Sequence, residues 1–209
     1  MCTICPTITA SDPHAYRAEM EVASRLSDRV HIDFMDSDFT GVTSINLIQA
    51  WMPEDVQVDL HIMYKNPTEH IETIVSMRPD LAIVHAEADG DLAAMMDELH
   101  GFGIDVGVAL LPETEPANVK ELIQKSDHVL IFGGKLGHHG GTAQLELLHK
   151  VDEIKQINPD AEIAWDGGVN ARNAGQIKSA GVIVLNVGGA IQHADDPDAA
   201  YKELIELVS

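Results

Sequence analysis

A (β/α)8 barrel is the fold class this chain predicts, and three observations predict it. Short apolar runs alternate with amphipathic stretches of helical periodicity from one end to the other. Successive strand candidates lie roughly twenty to thirty residues apart, the size of one βα unit. Finally, the runs His31-Ile32-Asp33-Phe34-Met35, Asp59-Leu60-His61-Ile62-Met63 and Trp165-Asp166-Gly167-Gly168 all carry ionisable residues. In the first two the ionisable residues recur at two-residue spacing. In a strand that spacing turns His31, Asp33 and Met35 to one face and Val30, Ile32 and Phe34 to the other. Asp59, His61 and Met63 oppose Val58, Leu60 and Ile62 in the same way. Apolar residues outward and polar residues inward suit a closed sheet covered by helices, with chemistry inside its mouth. An open doubly wound sheet is the rival, but no G-x-G-x-x-G follows the first strand.

Taken in order, the first strand is expected at 3–9 and is followed by an amphipathic helix at 13–26. Strands at 30–35 and 56–63 come next, with no helical pattern assigned between them. A helix at 67–77 leads to a strand at 81–87, and one at 92–101 to a strand at 105–110. A helix at 116–124 then precedes a strand at 128–132, and one at 143–156 a strand at 162–166. The last unit is a helix at 171–180, a strand at 182–187 and a closing helix at 198–207. Pro67, Pro116 and Pro197 stand at or near first turns, where a missing N–H costs nothing. Eight strands in one chain satisfy the barrel, although ~250 residues is the more typical length. No linker or low-complexity tract divides residues 1–209, so one catalytic domain is expected.

Composition narrows the function. The chain is 45% hydrophobic and 22% charged, as an ordinary globular domain is, and has no apolar run long enough to span a bilayer. Its N-terminus lacks a signal-peptide pattern, so a cytoplasmic location is the default expectation. A formal net charge of −21 argues against nucleic acid, whose phosphates the summed field repels. Cys2 and Cys5 form a C-x-x-C, yet it lies in a strand-like segment with no helix to lower a thiol pKa. Their spacing points the two sulfurs to opposite faces, and they read as reduced packing residues.

Four inward residues carry the chemistry. His31, Asp33, His61 and Asp166 form an N2O2 set that suits one Zn²⁺, Fe²⁺ or Mn²⁺ better than Ca²⁺ or Mg²⁺. Asp33 and Asp166, placed about halfway round the barrel from each other, suit inversion at carbon: one carboxylate removes a proton and the other returns it on the far face. A neighbouring cation stabilises the enediolate formed between the two transfers. The bland alternative is a purely structural pair. Met35 and Met63, two residues beyond Asp33 and His61, fall at the mouth near the reacting carbon. Glycines cluster after the sixth, seventh and eighth strands, at Gly137-His138-His139-Gly140-Gly141, Gly167-Gly168 and Gly188-Gly189, where such barrels hold phosphate through backbone N–H groups. His138 and His139 have two open readings, phosphate donors or a solvated loop tip. His85 and Glu87 read as an internal polar pair bracing neighbouring strands.

At these residues the chain resembles the ribulose-phosphate 3-epimerase family. Its H-x-D-x-M-D is His31 to Asp36, its D-x-H-x-M is Asp59 to Met63, and its D-G-G is Asp166 to Gly168. Pro6-Thr7-Ile8 is similar to the family's P-S-I, and His85-Ala86-Glu87-Ala88 to its H-x-E-A. The resemblance implies a TIM barrel of the ribulose-phosphate-binding type. It makes Asp33 and Asp166 the acid/base pair and, with His31 and His61, the ligands of one divalent transition metal. Substrate contacts fall to Thr7, His61, Met35 and Met63, with Gly140, Gly141, Gly167, Gly168, Gly188 and Gly189 gripping the phosphate. The implied reaction interconverts D-ribulose 5-phosphate and D-xylulose 5-phosphate at C3, and a homo-oligomer is implied as well. The pattern departs at Phe132, where the family carries methionine, and in the longer loop 135–141. These departures keep open a six-carbon ketose phosphate such as allulose 6-phosphate. A non-catalytic phosphosugar-binding barrel is the alternative from another class.

Overall fold

Alternation of side chains in and out of a pleated sheet decides the architecture. The computed structural model describes residues 2–137 and 141–209. Strands β1 Thr3–Ile8, β2 Arg29–Met35, β3 Gln57–Met63 and β4 Leu81–His85 are followed by β5 Asp105–Leu110, β6 His128–Phe132, β7 Glu162–Asp166 and β8 Val184–Val187. All pair in parallel and in sequence order, and β1 also pairs with β8, so the sheet closes on itself as the (β/α)8 TIM barrel expected. Outward residues such as Ile32, Phe34, Leu60, Ile62, Val108 and Trp165 are buried beneath the helices. Cys5, Leu81, Ile83, Ala109, Leu130, Ala164 and Val184 form a separate apolar cluster inside the barrel. Cys2 belongs to the outer cluster and Cys5 to the inner one, both as free thiols, in line with their odd spacing.

The helices are α1 Pro13–Leu26, α2 Ser37–Thr40, α3 Ile71–Met77, α4 Leu92–Gly101, α5 Lys120–Lys125, α6 Lys150–Ile157, α7 Ala174–Ser179, α8 Gly189–Gln192 and α9 Pro197–Val208. Carboxylates cap the starts of α1, α4 and α9, where Asp12, Asp91 and Asp196 accept the free backbone N–H groups of the first turn. Three expected helices enter through 3-10 turns, at Pro67–His70, Pro116–Val119 and Leu145–His149. Among the described residues no helix is long and apolar enough to cross a membrane.

The segment between β2 and β3 has no full helix. Asp36 caps α2 by accepting from Phe39 N–H at 2.7 Å, and Gly41, at φ 80°, ends it after one turn. The β-branched and hydroxylated run Val42-Thr43-Ser44 then favours extended chain. Ser44 Oγ takes Met35 N–H at 2.9 Å and Ile45 N–H reaches Ala10 O at 3.0 Å, which lays this segment over the ends of β1 and β2.

Opposite the mouth, the barrel closes on a charged cluster. Arg29 Nε donates to both oxygens of Asp59, at 2.8 and 3.1 Å, and its two terminal nitrogens donate to the two oxygens of Glu162, at 2.7 and 3.0 Å. His128 Nδ1 lies 2.8 Å from Glu162 Oε2. Burial works against the Glu162 charge, but the hydrogen bonds from His128 and Arg29 outweigh it and hold the carboxyl down at about 2. A depressed pKa means stability fully present above about pH 4.5 and lost as pH falls toward about 2. Urea unfolding followed across that range is expected to show a steeper loss in the wild type than in Glu162→Gln. Parallel profiles would mean that the cluster does not couple folding to acid.

Candidate active site

At the C-terminal ends of the strands the inward positions become polar. The register pairs Thr7 with His31 and Asp33 with His61, and Asp166 with Asn186, so residues from five strands meet there. His31, Asp33, His61 and Asp166 each offer one ligand atom, and these atoms lie within 4.8 Å of one another. His61 Nδ1 is 2.9 Å from Asp33 Oδ1 and 3.8 Å from Asp166 Oδ2. His31 Nε2 is 3.4 Å from the same Asp33 oxygen and 4.0 Å from Asp166 Oδ2. The two carboxylates were expected about halfway round the barrel. Closure through β1 and β8 puts β7 three strands from β2, close to halfway round the eight, and the acids converge across the mouth as the four-ligand reading requires.

Burial disfavours the Asp33 charge, but the His31 and His61 imidazoles set against it prevail and hold this carboxyl well below the ordinary range. Asp166 is pushed up, by burial first and then by the negative charge of Asp33. Thr9 Oγ1 donates to Asp33 Oδ2 at 2.6 Å.

This donor set fits a divalent cation. His31 Nε2 is fully buried, faces the two carboxylates and makes no hydrogen bond. The Asn186 amide lies 3.1 Å from His31 Nδ1, and turned over in its own plane it presents oxygen to an Nδ1–H, leaving Nε2 free to ligate. Two imidazoles and two carboxylates match the preferences of zinc, iron and manganese.

A cavity of about 330 Å³ opens above the cluster. Asp33 and Asp166 line it together with Thr7, Met35 and Met63, as expected. Thr7 Oγ1 is buried and without a partner. Gly141, Gly167, Gly168, Gly188 and Gly189 are also in the lining, while Gly140, His138 and His139 lie outside the described residues. His31 and His61 are fully buried behind the carboxylates rather than on the wall. Phe132 is on the wall, with its ring centroid 6.0 Å from that of His61.

Sequence reasoning missed Thr9, Lys135, Asn170, Asn186 and His193, all part of the same lining. Thr9 continues the two-residue spacing of Cys5 and Thr7, and Asn186 interrupts an apolar strand, so both left a signal. His85 pairs with Glu87 and braces neighbouring strands as expected, and it also touches the site. Its Nε2 lies 3.0 Å from His61 Nε2 and its Nδ1 lies 3.3 Å from Glu87 Oε2. Burial pushes His85 down to about 4, so it is neutral at neutral pH.

The model of the ribulose-phosphate 3 epimerase family matches residues 3–192. The chain belongs to this family. As a family member it is an isomerase of the epimerase type. It is 29% identical over 213 residues to ribulose-phosphate 3-epimerase of Bacillus subtilis (strain 168), covering 98% of both chains. It is 28% identical over 210 residues to that of Schizosaccharomyces pombe, covering 96% of this chain and 91% of the relative. The crystal structure of 3-hexulose-6-phosphate synthase from Salmonella typhimurium superposes with a TM-score of 0.69 at 18% identity, covering 100% of this chain and 98% of that one, a likeness of fold alone.

Two of the family's D-G-G positions are backbone requirements. Gly167 has φ 102° and Gly168 φ 70°, and a Cβ on either would run into the chain at Gly134 or Ala143. Gly167→Ala is expected to cost about 1–3 kcal/mol by overpacking, read by chemical denaturation. A loss below about 0.5 kcal/mol, the size of an ordinary surface change, would show that the loops after β6 and β7 yield easily.

Proposed function

We propose that this epimerase interconverts D-ribulose 5-phosphate and D-xylulose 5-phosphate by proton exchange at C3 between Asp33 and Asp166. The observation that carries the reading is the pair of buried carboxylates, supplied by different strands and lining one cavity. Epimerisation needs a base on one face of the carbon and an acid on the other. Opposite displacements of the two carboxyls support a division in which Asp33 takes the C3 proton and Asp166 returns one. In the reverse direction the roles exchange. Thr9 holds the Asp33 carboxylate through Oδ2.

His31, His61, Asp33 and Asp166 would hold one divalent cation, zinc, iron or manganese. Such a cation supplies Lewis-acid stabilisation of the negative charge that develops on the substrate's oxygens. Met35 and Met63 give the reacting carbon an apolar, water-poor surface, and Thr7 offers its free hydroxyl to the sugar. Backbone N–H groups at Gly141, Gly167, Gly168, Gly188 and Gly189 are assigned to the phosphate, together with Gly140 on the strength of the family pattern.

Deuterium entering C3 of the inverted sugar from solvent measures the two-acid transfer directly. Asp33→Asn and Asp166→Asn are each expected to lower it on the order of 10²- to 10⁴-fold. Equal formation of the deuterated, inverted sugar by wild type and Asp166→Asn would end the two-acid account. Because Phe132 faces the cavity, five- and six-carbon ketose phosphates are to be compared in the same assay. Turnover of allulose 6-phosphate without turnover of ribulose 5-phosphate would move the substrate to the longer sugar. Protein purified without chelator is expected to carry close to one transition metal ion per chain, and chelation to abolish exchange until the ion is restored. Full exchange by the metal-free protein would remove the cation from the proposal.

A further inference from the structure

A line of hydrogen bonds leads away from His61 on the side opposite Asp33. His61 Nε2 faces His85 Nε2 at 3.0 Å, His85 Nδ1 faces Glu87 Oε2 at 3.3 Å, and Glu87 Oε1 accepts Leu111 N–H at 3.0 Å. Leu111 is itself held, because its carbonyl accepts from Lys150 Nζ at 2.9 Å. That ammonium also takes the carbonyls of Pro112 and Thr114, at 2.9 and 2.8 Å. The end of β5 is therefore fixed from below, and Glu87 is fixed to it.

With His61 Nδ1 turned to the cation site, hydrogen-bond polarity in this line is set from the Glu87 end. A carboxylate only accepts, so His85 Nδ1 carries the hydrogen that faces Glu87. With the hydrogen on Nδ1 spent on Glu87, the fully buried His85 ring turns its other nitrogen, Nε2, to His61 as the acceptor. Two ring nitrogens 3.0 Å apart share one hydrogen, so His61 must donate it from Nε2. Its Nδ1 is the nitrogen left to ligate, and that atom is the one beside Asp33 and Asp166.

We infer that Glu87 and His85 are positioning residues that keep the proton on His61 Nε2 and so reserve His61 Nδ1 for the cation. The inference rests on the reading of His31, Asp33, His61 and Asp166 as a cation site. Glu87 touches none of these four; it acts through one imidazole on the next.

Glu87→Gln tests this because the amide cannot choose its orientation freely. Leu111 N–H requires an acceptor, so the amide oxygen stays there and the NH2 group turns to His85 Nδ1. His85 must then accept at Nδ1 and donate from Nε2, and His61 must carry its proton on Nδ1. The polarity of the line is reversed without loss of volume. Zn²⁺ affinity, measured by competition with a chromophoric chelator, is expected to fall about 10- to 100-fold. Glu87→Ala breaks the line without reversing it and is expected to weaken binding less than glutamine does. A merely structural side chain gives the opposite order, with the smaller residue the more damaging.

Ring ¹⁵N spectra supply a reading independent of the ion. His61 Nε2 is expected to carry a proton in the wild type, with or without Zn²⁺, and to lack it in Glu87→Gln. Zn²⁺ affinity of Glu87→Gln within twofold of wild type, or an unprotonated Nε2 in the wild type, overturns the inference. Wild-type protein that takes up no Zn²⁺ overturns the cation reading of the site, and the proton on Nε2 then decides the relay by itself.

Discussion

Charge inside a closed barrel has to be answered by a partner from another strand, because little water reaches the interior. The register decides which partners exist. At the closed end Arg29 meets Asp59 from the next strand and Glu162 from β7, and His128 Nδ1 lies against Glu162. At the open end Asp33 meets His61 across one strand pair, with His31 two residues behind it on its own strand. Between these ends lies the apolar cluster around Cys5, Ile83 and Leu130. The barrel is therefore two polar ends kept apart by an apolar middle, and only the upper one opens on the cavity lined by Thr7, Phe132 and the glycines.

The upper cluster is arranged to be incomplete. In the lower one Arg29 brings a permanent positive charge, whereas in the upper one, among the described residues, the two carboxylates have imidazoles but no lysine or arginine as ion-pair partners. His31 Nε2 points at them with nothing to bond. A transferable proton and a cation, the two elements of the proposed function, would each answer this imbalance.

Much of this was legible in the linear chain, for identifiable reasons. Alternation over residues 30–35 and 58–63 is a local signal, and it placed His31, Asp33 and His61 on the inner face. The glycines at 167–168 and 188–189 were visible too, and they stand where expected. What escaped were properties that closure creates. Thr9 and Asn186 are ordinary residues until the barrel brings them to a carboxylate and an imidazole. The region 36–56 carried no helical period, and the structure shows why: its backbone groups are spent on the ends of β1 and β2.

Lys150 has a consequence of another kind. Its side chain is fully buried, and three carbonyls from the turn after β5 surround its ammonium much as they would a bound potassium ion. Acylating reagents meet lysine side chains in the order in which solvent reaches them, and this one is reached only when α6 leaves the barrel. Mass labelling at Lys150 is thus a clock built into the molecule: it keeps the time of the barrel's opening while Lys202, on the surface of α9, keeps only that of the reagent.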